Sequence, residues 1–93
     1  MTLKVTVKPN PFNAELLLSM HAVFTVNVVI RLLAESGNVV RITSGTLRAG
    51  DNEIKLDKLH RYAAGHYRLE IKLLNGDLLE TVPLVKHTVL TIS

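Results

Sequence analysis

The sequence predicts an all-β protein, an antiparallel sandwich of about seven strands with an immunoglobulin/fibronectin III-like architecture. Apolar and polar residues alternate with a period of two over residues 22–33 and again over residues 66–74. Shorter alternating runs lie between turn signals rich in Gly, Asn, Asp and Ser, a spacing typical of a sandwich. With 93 residues, 47% of them apolar, the chain is expected to form one domain over residues 1–93 with its own core.

The N-terminal run predicts a strand that ends in a rigid elbow. Residues 2–8 alternate between polar and apolar side chains, which favours a strand. Pro9 and Pro11 end it, because proline fixes φ and has no backbone N–H, and Asn10 is pushed towards extended geometry by the proline after it. We expect this elbow to carry the first strand from one sheet to the other.

Residues 14–22 are predicted to form a second strand. Helix is the alternative for this stretch, because Ala, Glu and Leu favour helices. The flanking strand patterns favour the strand.

The clearest alternation places an apolar side chain at every even position from residue 22 to residue 32. A turn signal follows, in which Gly37 or Asn38 is expected to take a positive φ. The pattern then resumes, so residues 22–43 are predicted to form a hairpin. Residues 44–52 are rich in Ser, Thr, Gly, Asp and Asn and are predicted to be a loop, anchored by Leu47.

The C-terminal half predicts a short strand, an irregular crossover and a second hairpin. Leu59 and Tyr62 are expected to reach the core from the crossover over residues 57–65. Asn75-Gly76 predicts a two-residue type I′ turn, which needs a positive φ at both positions. The return strand covers residues 77–86.

The last strand is predicted to lie at a sheet edge. Pro83 cannot donate a hydrogen bond to a neighbouring strand, which favours an edge. Leu84 to Ile92 would then be an edge strand or would pair with another chain, and a homodimer through this edge is expected.

Seven side chains are predicted to face the interior because they lie on the apolar sides of the two long runs. They are Phe24, Val26, Val28, Ile30, Tyr67, Leu69 and Ile71.

Composition argues against several classes of function. The net charge of +3 comes from Lys and Arg residues spread along the chain, and only four aromatic residues are present, so no nucleic-acid partner is expected. Without cysteine there is no disulfide, thiolate metal site or thiol nucleophile. No apolar run reaches the roughly 20 residues of a membrane span, and no signal peptide is recognisable at the N-terminus, so any export signal of that kind is expected on a preceding polypeptide.

The residue types that carry catalysis or bind metals show no functional spacing. The four histidines fit no metal-binding pattern, although His60 and His66 flank one loop and could converge. No nucleophile turn, phosphate-binding loop or dinucleotide motif is present. We therefore expect no enzyme activity, no catalytic residues, no cofactor and no metal site.

Several residues have plain structural explanations. Gly65 is expected to serve a loop that needs a positive φ. Tyr67 is expected to point inward with its hydroxyl hydrogen-bonded at the rim. Lys86 is expected to be a surface charge that protects an edge strand from aggregation.

In combination, five segments of the chain resemble the type A C-terminal sorting domain of the type IX secretion system of Bacteroidetes. The resemblance covers residues 3–86 and depends on the order of its motifs, since each motif alone is common. The matching segments are Pro9-Asn10-Pro11-Phe12, Ser36-Gly37-Asn38-Val39-Val40, residues 47–57, Ala64-Gly65-His66-Tyr67 and Leu84-Val85-Lys86.

The resemblance implies a non-catalytic address that an outer-membrane translocon recognises and a sortase-like peptidase often removes, linking the cargo to a surface lipopolysaccharide. Such a domain passes through the periplasm to the cell surface or the medium. The recognition residues implied are Pro9, Asn10, Pro11, Gly65, Tyr67, Leu84, Val85 and Lys86. Two alternatives remain open: a fibronectin-like binding or spacer module of a larger exported protein, and a stand-alone cytoplasmic protein that self-associates through an edge strand.

Overall fold

The structure, a computed structural model, describes residues 3–87, and within them seven strands form two sheets. A 3₁₀ helix at Leu59–Arg61 lies between the fifth and sixth strands. The strands are β1 (Lys4–Lys8), β2 (Leu16–Ala22), β3 (Val26–Ala34), β4 (Val39–Leu47), β5 (Gly50–Leu56), β6 (Gly65–Leu73) and β7 (Leu78–Lys86).

Both sheets are antiparallel, which confirms the predicted fold class. The first sheet has the strand order β1-β2-β5, and the second has the order β4-β3-β6-β7. Neighbours in sequence often lie in different sheets, so the chain crosses between the sheets several times, as expected of an immunoglobulin/fibronectin III-like sandwich. The helix considered for residues 14–22 is absent, since β2 occupies this stretch.

The core lies between the inner faces of the two sheets, where alternate side chains of each strand meet. Five of the seven side chains predicted to be internal are buried there: Val28, Ile30, Tyr67, Leu69 and Ile71. Val26 is partly buried and packs against the same cluster. From the crossover, Leu59 is fully buried and Tyr62 packs at the margin, as predicted.

The prediction for Phe24 is wrong, because its side chain is 54% exposed. Ala22 pairs with Gly50 in the first sheet, whereas Val26 pairs with Leu47 in the second. The residues between them must therefore carry the chain from one sheet to the other. The alternation in the sequence continues without a break across two strands that lie in different sheets. The hairpin therefore runs over residues 26–47 instead of 22–43.

The loop predicted over residues 44–52 is also mostly strand. β4 continues to Leu47 and β5 begins at Gly50, so only residues 48–49 connect them. Pairing with β3 overrides the low strand preference of the Ser- and Gly-rich segment. The Asn52 side chain organises the connection, since it accepts from the Arg48 N–H at 2.9 Å and donates to the Arg48 carbonyl at 2.9 Å. Leu47 is buried, as predicted.

The two hairpins share one turn geometry, which differs from the type I′ turn predicted at Asn75-Gly76. The Leu73 N–H donates to the Asp77 carbonyl at 2.8 Å, and the Gly76 N–H donates to the Leu73 carbonyl at 2.9 Å. Gly76 has a φ of 97°, whereas Asn75 is not among the residues with positive φ. The loop thus has three residues and a glycine at its last position, a common hairpin type. Gly37, with a φ of 93°, plays the same part in the first hairpin.

β7 lies at the edge of the four-stranded sheet, as Pro83 predicted. The prediction of an edge strand from Leu84 to Ile92 is thus confirmed for residues 84–86. Residues 88–92 lie outside the described part of the chain.

Candidate functional site

The elbow over residues 9–13 joins the two sheets along one side of the sandwich. It leaves β1 of the first sheet and runs beside β7 of the second, where Phe12 forms a parallel bridge with Lys86. Both X-Pro bonds of the elbow, Lys8-Pro9 and Asn10-Pro11, are cis. The elbow therefore reaches the edge of the second sheet, as predicted, but only through this isolated bridge, and the chain then returns to β2 beside β1 in the first sheet.

The Asn10 side chain pairs with the open edge of β7 as a strand backbone would. Its Oδ1 accepts a hydrogen bond from the Val85 N–H at 3.1 Å, and its Nδ2 donates to the Pro83 carbonyl at 3.2 Å. These partners are 75 and 73 residues away in sequence. Because Pro83 offers only a carbonyl to this edge, the amide of Asn10 matches the groups that β7 presents there.

Phe12 continues the same pairing with its backbone. Its N–H donates to the Val85 carbonyl at 2.9 Å, and its carbonyl accepts from the His87 N–H at 2.8 Å. The elbow thus occupies the polar edge groups from Pro83 in β7 to His87 directly after it. The homodimer predicted through this edge would have to displace it over that stretch.

The Phe12 side chain enters the core beside Tyr67. The two rings meet edge to face, with centroids 5.9 Å apart at an angle of 70°. The Tyr67 hydroxyl donates to the Ala63 carbonyl at 2.6 Å, as predicted for a rim hydroxyl. Burial raises the pKa of Tyr67, and the nearby Tyr62 raises it further, so the phenol stays a hydrogen-bond donor. A tyrosine that binds backbone just upstream of its strand is typical of immunoglobulin-like sandwiches.

Gly65 and Lys86 face each other where β6 begins and β7 ends. Gly65 has a φ of 145°, and an added Cβ would meet no atom within 4 Å. Glycine is therefore required here by backbone conformation and not by crowding.

The prediction of Lys86 as a surface charge is wrong, because the residue is only 3% exposed. It lies on the inward face of β7 with Leu84, and its Nζ lies 3.4 Å from the His87 carbonyl oxygen. Within residues 3–87 no carboxylate lies at salt-bridge distance from it, so its long side chain contributes mainly packing.

The eight residues named from the sequence as recognition residues come together around one closed edge. Pro9, Asn10 and Pro11 are exposed on the elbow, and Val85 beside them is half-buried. Tyr67, Leu84 and Lys86 are buried beneath them, and Gly65 is partly buried at the end of β6. We call the exposed part, formed by Pro9, Asn10, Pro11 and Val85, the elbow surface.

Three residues of this site were not among the recognition residues implied by the sequence. Phe12 provides both the backbone bridge and the core anchor, and a lone aromatic inside a polar, proline-rich loop was the available signal. Pro83 and His87 supply edge groups whose partners could not be read from the sequence, because those partners lie more than 70 residues away.

The other candidate centres remain scattered. Within residues 3–87 no three His, Asp or Glu side chains group in a way that could hold a metal ion, and His60 and His66 are both exposed. His21 Nδ1 lies 2.9 Å from Asp51 Oδ1 on the open face of the first sheet. Within residues 3–87, no helix is long and apolar enough to cross a bilayer.

Tyr62 is held by two cations beside β4. Burial raises its pKa, but hydrogen bonds and charge from Arg41 and Arg61 outweigh this and lower it below the usual value. Its hydroxyl lies 3.0 Å from the Val40 carbonyl and donates to it. These contacts hold the crossover, residues 57–65, against β4.

Replacing Asn10 by alanine tests the pairing of the elbow with β7. The change removes two hydrogen bonds, each worth about 0.5–1.5 kcal/mol, and the exposure of the site favours the lower end. We expect Asn10→Ala to lower the free energy of unfolding by about 1 kcal/mol in urea titration. Asn38→Ala is the control, because among the described residues the Asn38 side chain makes no hydrogen bond. Equal stability of the two variants would contradict this role.

Comparison with known proteins supports the fold. No family model matches the chain, and no curated protein matches it. Among solved structures it is similar to part of a GH3 beta-glucosidase from Bifidobacterium adolescentis, with a TM-score of 0.52 and 16% identity. The match covers 99% of this chain and 18% of that chain. At this identity the likeness concerns the fold alone.

Proposed function

We propose that the domain is a non-catalytic sorting signal that the type IX secretion machinery recognises for export across the outer membrane. The observation that carries the proposal is the convergence of the motif residues. Asn10 and Val85, which belong to motifs at opposite ends of the chain, are joined by a hydrogen bond of 3.1 Å. A receptor could therefore contact both motifs on one surface of the folded domain.

The recognition residues have two different roles, one for the exposed residues and one for the buried residues. The elbow surface is accessible and would contact the receptor, an outer-membrane translocon. Tyr67, Leu84 and Lys86 are buried and act by holding β6 and β7 beneath that surface. A sortase-like peptidase would then remove the domain, so the bond-breaking chemistry belongs to the partner. The domain would pass through the periplasm to the cell surface or the medium.

A fusion experiment tests the sorting role. The domain is placed behind a signal peptide and a reporter in a bacterium with a type IX system, and the reporter is assayed in periplasm and medium. Deleting residues 84–86 would not separate recognition from folding, because Leu84 and Lys86 are buried. Val85→Glu instead places a charge on the elbow surface, where the side chain is only half-buried.

The matched control is Val39→Glu on β4, the opposite edge of the same sheet, where the side chain is 37% exposed. We expect the intact fusion and the Val39→Glu fusion to reach the medium, and the Val85→Glu fusion to stay in the periplasm. Circular dichroism of the isolated variants checks that both fold. Retention of the intact fusion, or export of a folded Val85→Glu fusion at the normal level, would refute the proposal.

The second candidate is a fibronectin-like binding or spacer module of a larger exported protein. The favouring observation is the likeness of nearly the whole chain to a stretch that makes up 18% of a GH3 beta-glucosidase. Fold alone does not assign a function, so this candidate depends on the outcome of the fusion experiment. An intact fusion that folds but stays in the periplasm would favour it.

A further inference from the structure

The two sheets end in four edge strands, and these differ in how they are protected. β1 and β5 border the first sheet, and β4 and β7 border the second. An edge strand presents backbone N–H and C=O groups with which another chain can pair. Proteins commonly protect such edges with charged side chains, proline, or a segment that covers them.

Three of the edges carry such protection. The elbow and Pro83 cover β7 over its last residues. The other two strands carry charged side chains along their short length: Lys4 and Lys8 in β1, and Asp51, Glu53 and Lys55 in β5.

β4 is the exception among the edges of the described structure. Residues 42–47, Ile-Thr-Ser-Gly-Thr-Leu, contain no charge and no proline. Arg41, the one cation of the strand, is tied to the crossover, since its Nη1 donates to the Asp57 carbonyl at 3.1 Å and its Nη2 lies 3.5 Å from the Asp57 carboxylate. Ile42 stands 62% exposed on the outer face.

Residues 42–47 also pair with β3 in a regular register. From Val26 opposite Leu47 to Leu32 opposite Arg41, β3 and β4 pair without a break. The irregularity between Leu32 and Leu33 lies beyond this segment, at the start of β4. A bulge that twists an edge away from partners is therefore absent from residues 42–47.

We propose that the outer edge of β4 pairs antiparallel with β4 of a second copy of this chain, which joins two four-stranded sheets into one of eight strands. The argument for a second copy is self-complementarity. In a symmetric pairing with Ser44 opposite its own counterpart, Ile42 of each copy faces Thr46 of the other, and these residues share the outer face. No like charges oppose each other over residues 42–46, and the exposed Ile42 gains a β-branched neighbour.

This inference does not depend on the sorting role, and it moves the predicted self-association from β7 to β4. A single pair of strand edges buries less than the roughly 1,200 Å² of a standard interface, so the association is weak. It therefore has to be measured at high protein concentration.

Sedimentation equilibrium on the whole chain at concentrations up to about 1 mM measures the dimer. In this register Ile42→Lys removes the β-branched neighbour of Thr46 and leaves a charged side chain at each end of the paired segment, and we expect it to weaken the dimer at least about tenfold. Leu78→Lys is the control, because Leu78 is a similarly exposed leucine, at 53%, on the opposite edge strand. It should dimerise as the wild type does. A wild-type chain that stays monomeric, or an Ile42→Lys chain that associates normally, would overturn the proposal.

Cross-linking tests the register independently, because the chain has no cysteine of its own. Facing residues of an antiparallel pair have Cα atoms about 4.5–5.5 Å apart, within the range of a disulfide. Ser44→Cys should therefore oxidise to a disulfide-linked dimer, and Glu53→Cys on the charged β5 edge should remain largely monomeric. Equal cross-linking of the two variants, or none in Ser44→Cys, would count against pairing through β4.

Discussion

Leu69→Ala is expected to lower the free energy of unfolding by about 2–5 kcal/mol. Leu69 is fully buried at the centre of the four-stranded sheet, where it pairs with Leu32 of β3 and Val82 of β7. Shortening its side chain removes apolar surface from the core and leaves a cavity between strands that are fixed on both sides. The sheet cannot collapse around this site without breaking two strand pairings.

Urea denaturation followed by circular dichroism measures the loss, with two-state unfolding checked by a second probe. Leu78→Ala is the matched control, because the same atoms are removed from a mostly exposed leucine of the same sheet. It is expected to change stability by no more than about 0.5 kcal/mol. If the two variants lose equal stability, the burial of Leu69 does not stabilise the fold as argued.

The alternation in the sequence predicted β6 well because β6 lies between two strands that share its inward and outward faces. Tyr67, Leu69 and Ile71 all face the core, as expected from a period of two. The same rule failed at Phe24, where the alternation runs on through a passage between sheets. Periodicity reports which face a residue would take in a strand, but it does not report where a strand changes sheets.

One edge strand, β4, was the second weakness of the sequence prediction. The second half of β4 has the composition of a loop, and only its pairing with β3 makes it a strand. Tertiary pairing of this kind depends on residues distant in sequence, so local preference could not reveal it.

The candidate site was predicted only through the ordered resemblance of its motifs. Their contact depends on hydrogen bonds from Asn10 to Pro83 and Val85, which no local pattern indicates. Lys86 also shows that local sequence does not reveal tertiary position. Its charge predicted a surface position, whereas its place opposite Gly65 on the inward face of β7 buries it.

Phe12→Ala is expected to have an effect as large as any core substitution, about 3–5 kcal/mol of unfolding free energy. Phe12 lies in a loop, yet it is almost fully buried and meets Tyr67 edge to face. Its loss leaves a cavity under the elbow and weakens the hold of the elbow on β7. We therefore expect faster amide hydrogen exchange at Val85 and His87 before global unfolding, because their N–H groups donate to the elbow.

The control is Phe24→Ala, which the chain offers because its two phenylalanines have opposite environments. Phe24 is half-exposed in the passage between β2 and β3, so its removal should cost about 1 kcal/mol or less. The period-two alternation alone predicts the opposite order of stability losses, because it places Phe24 in the core and Phe12 in a loop. A larger loss for Phe24→Ala than for Phe12→Ala would contradict the elbow as a core element. If Phe12→Ala costs more stability than Phe24→Ala, as expected, the elbow anchors the sandwich. The elbow then also supports the elbow surface, which we propose a receptor contacts.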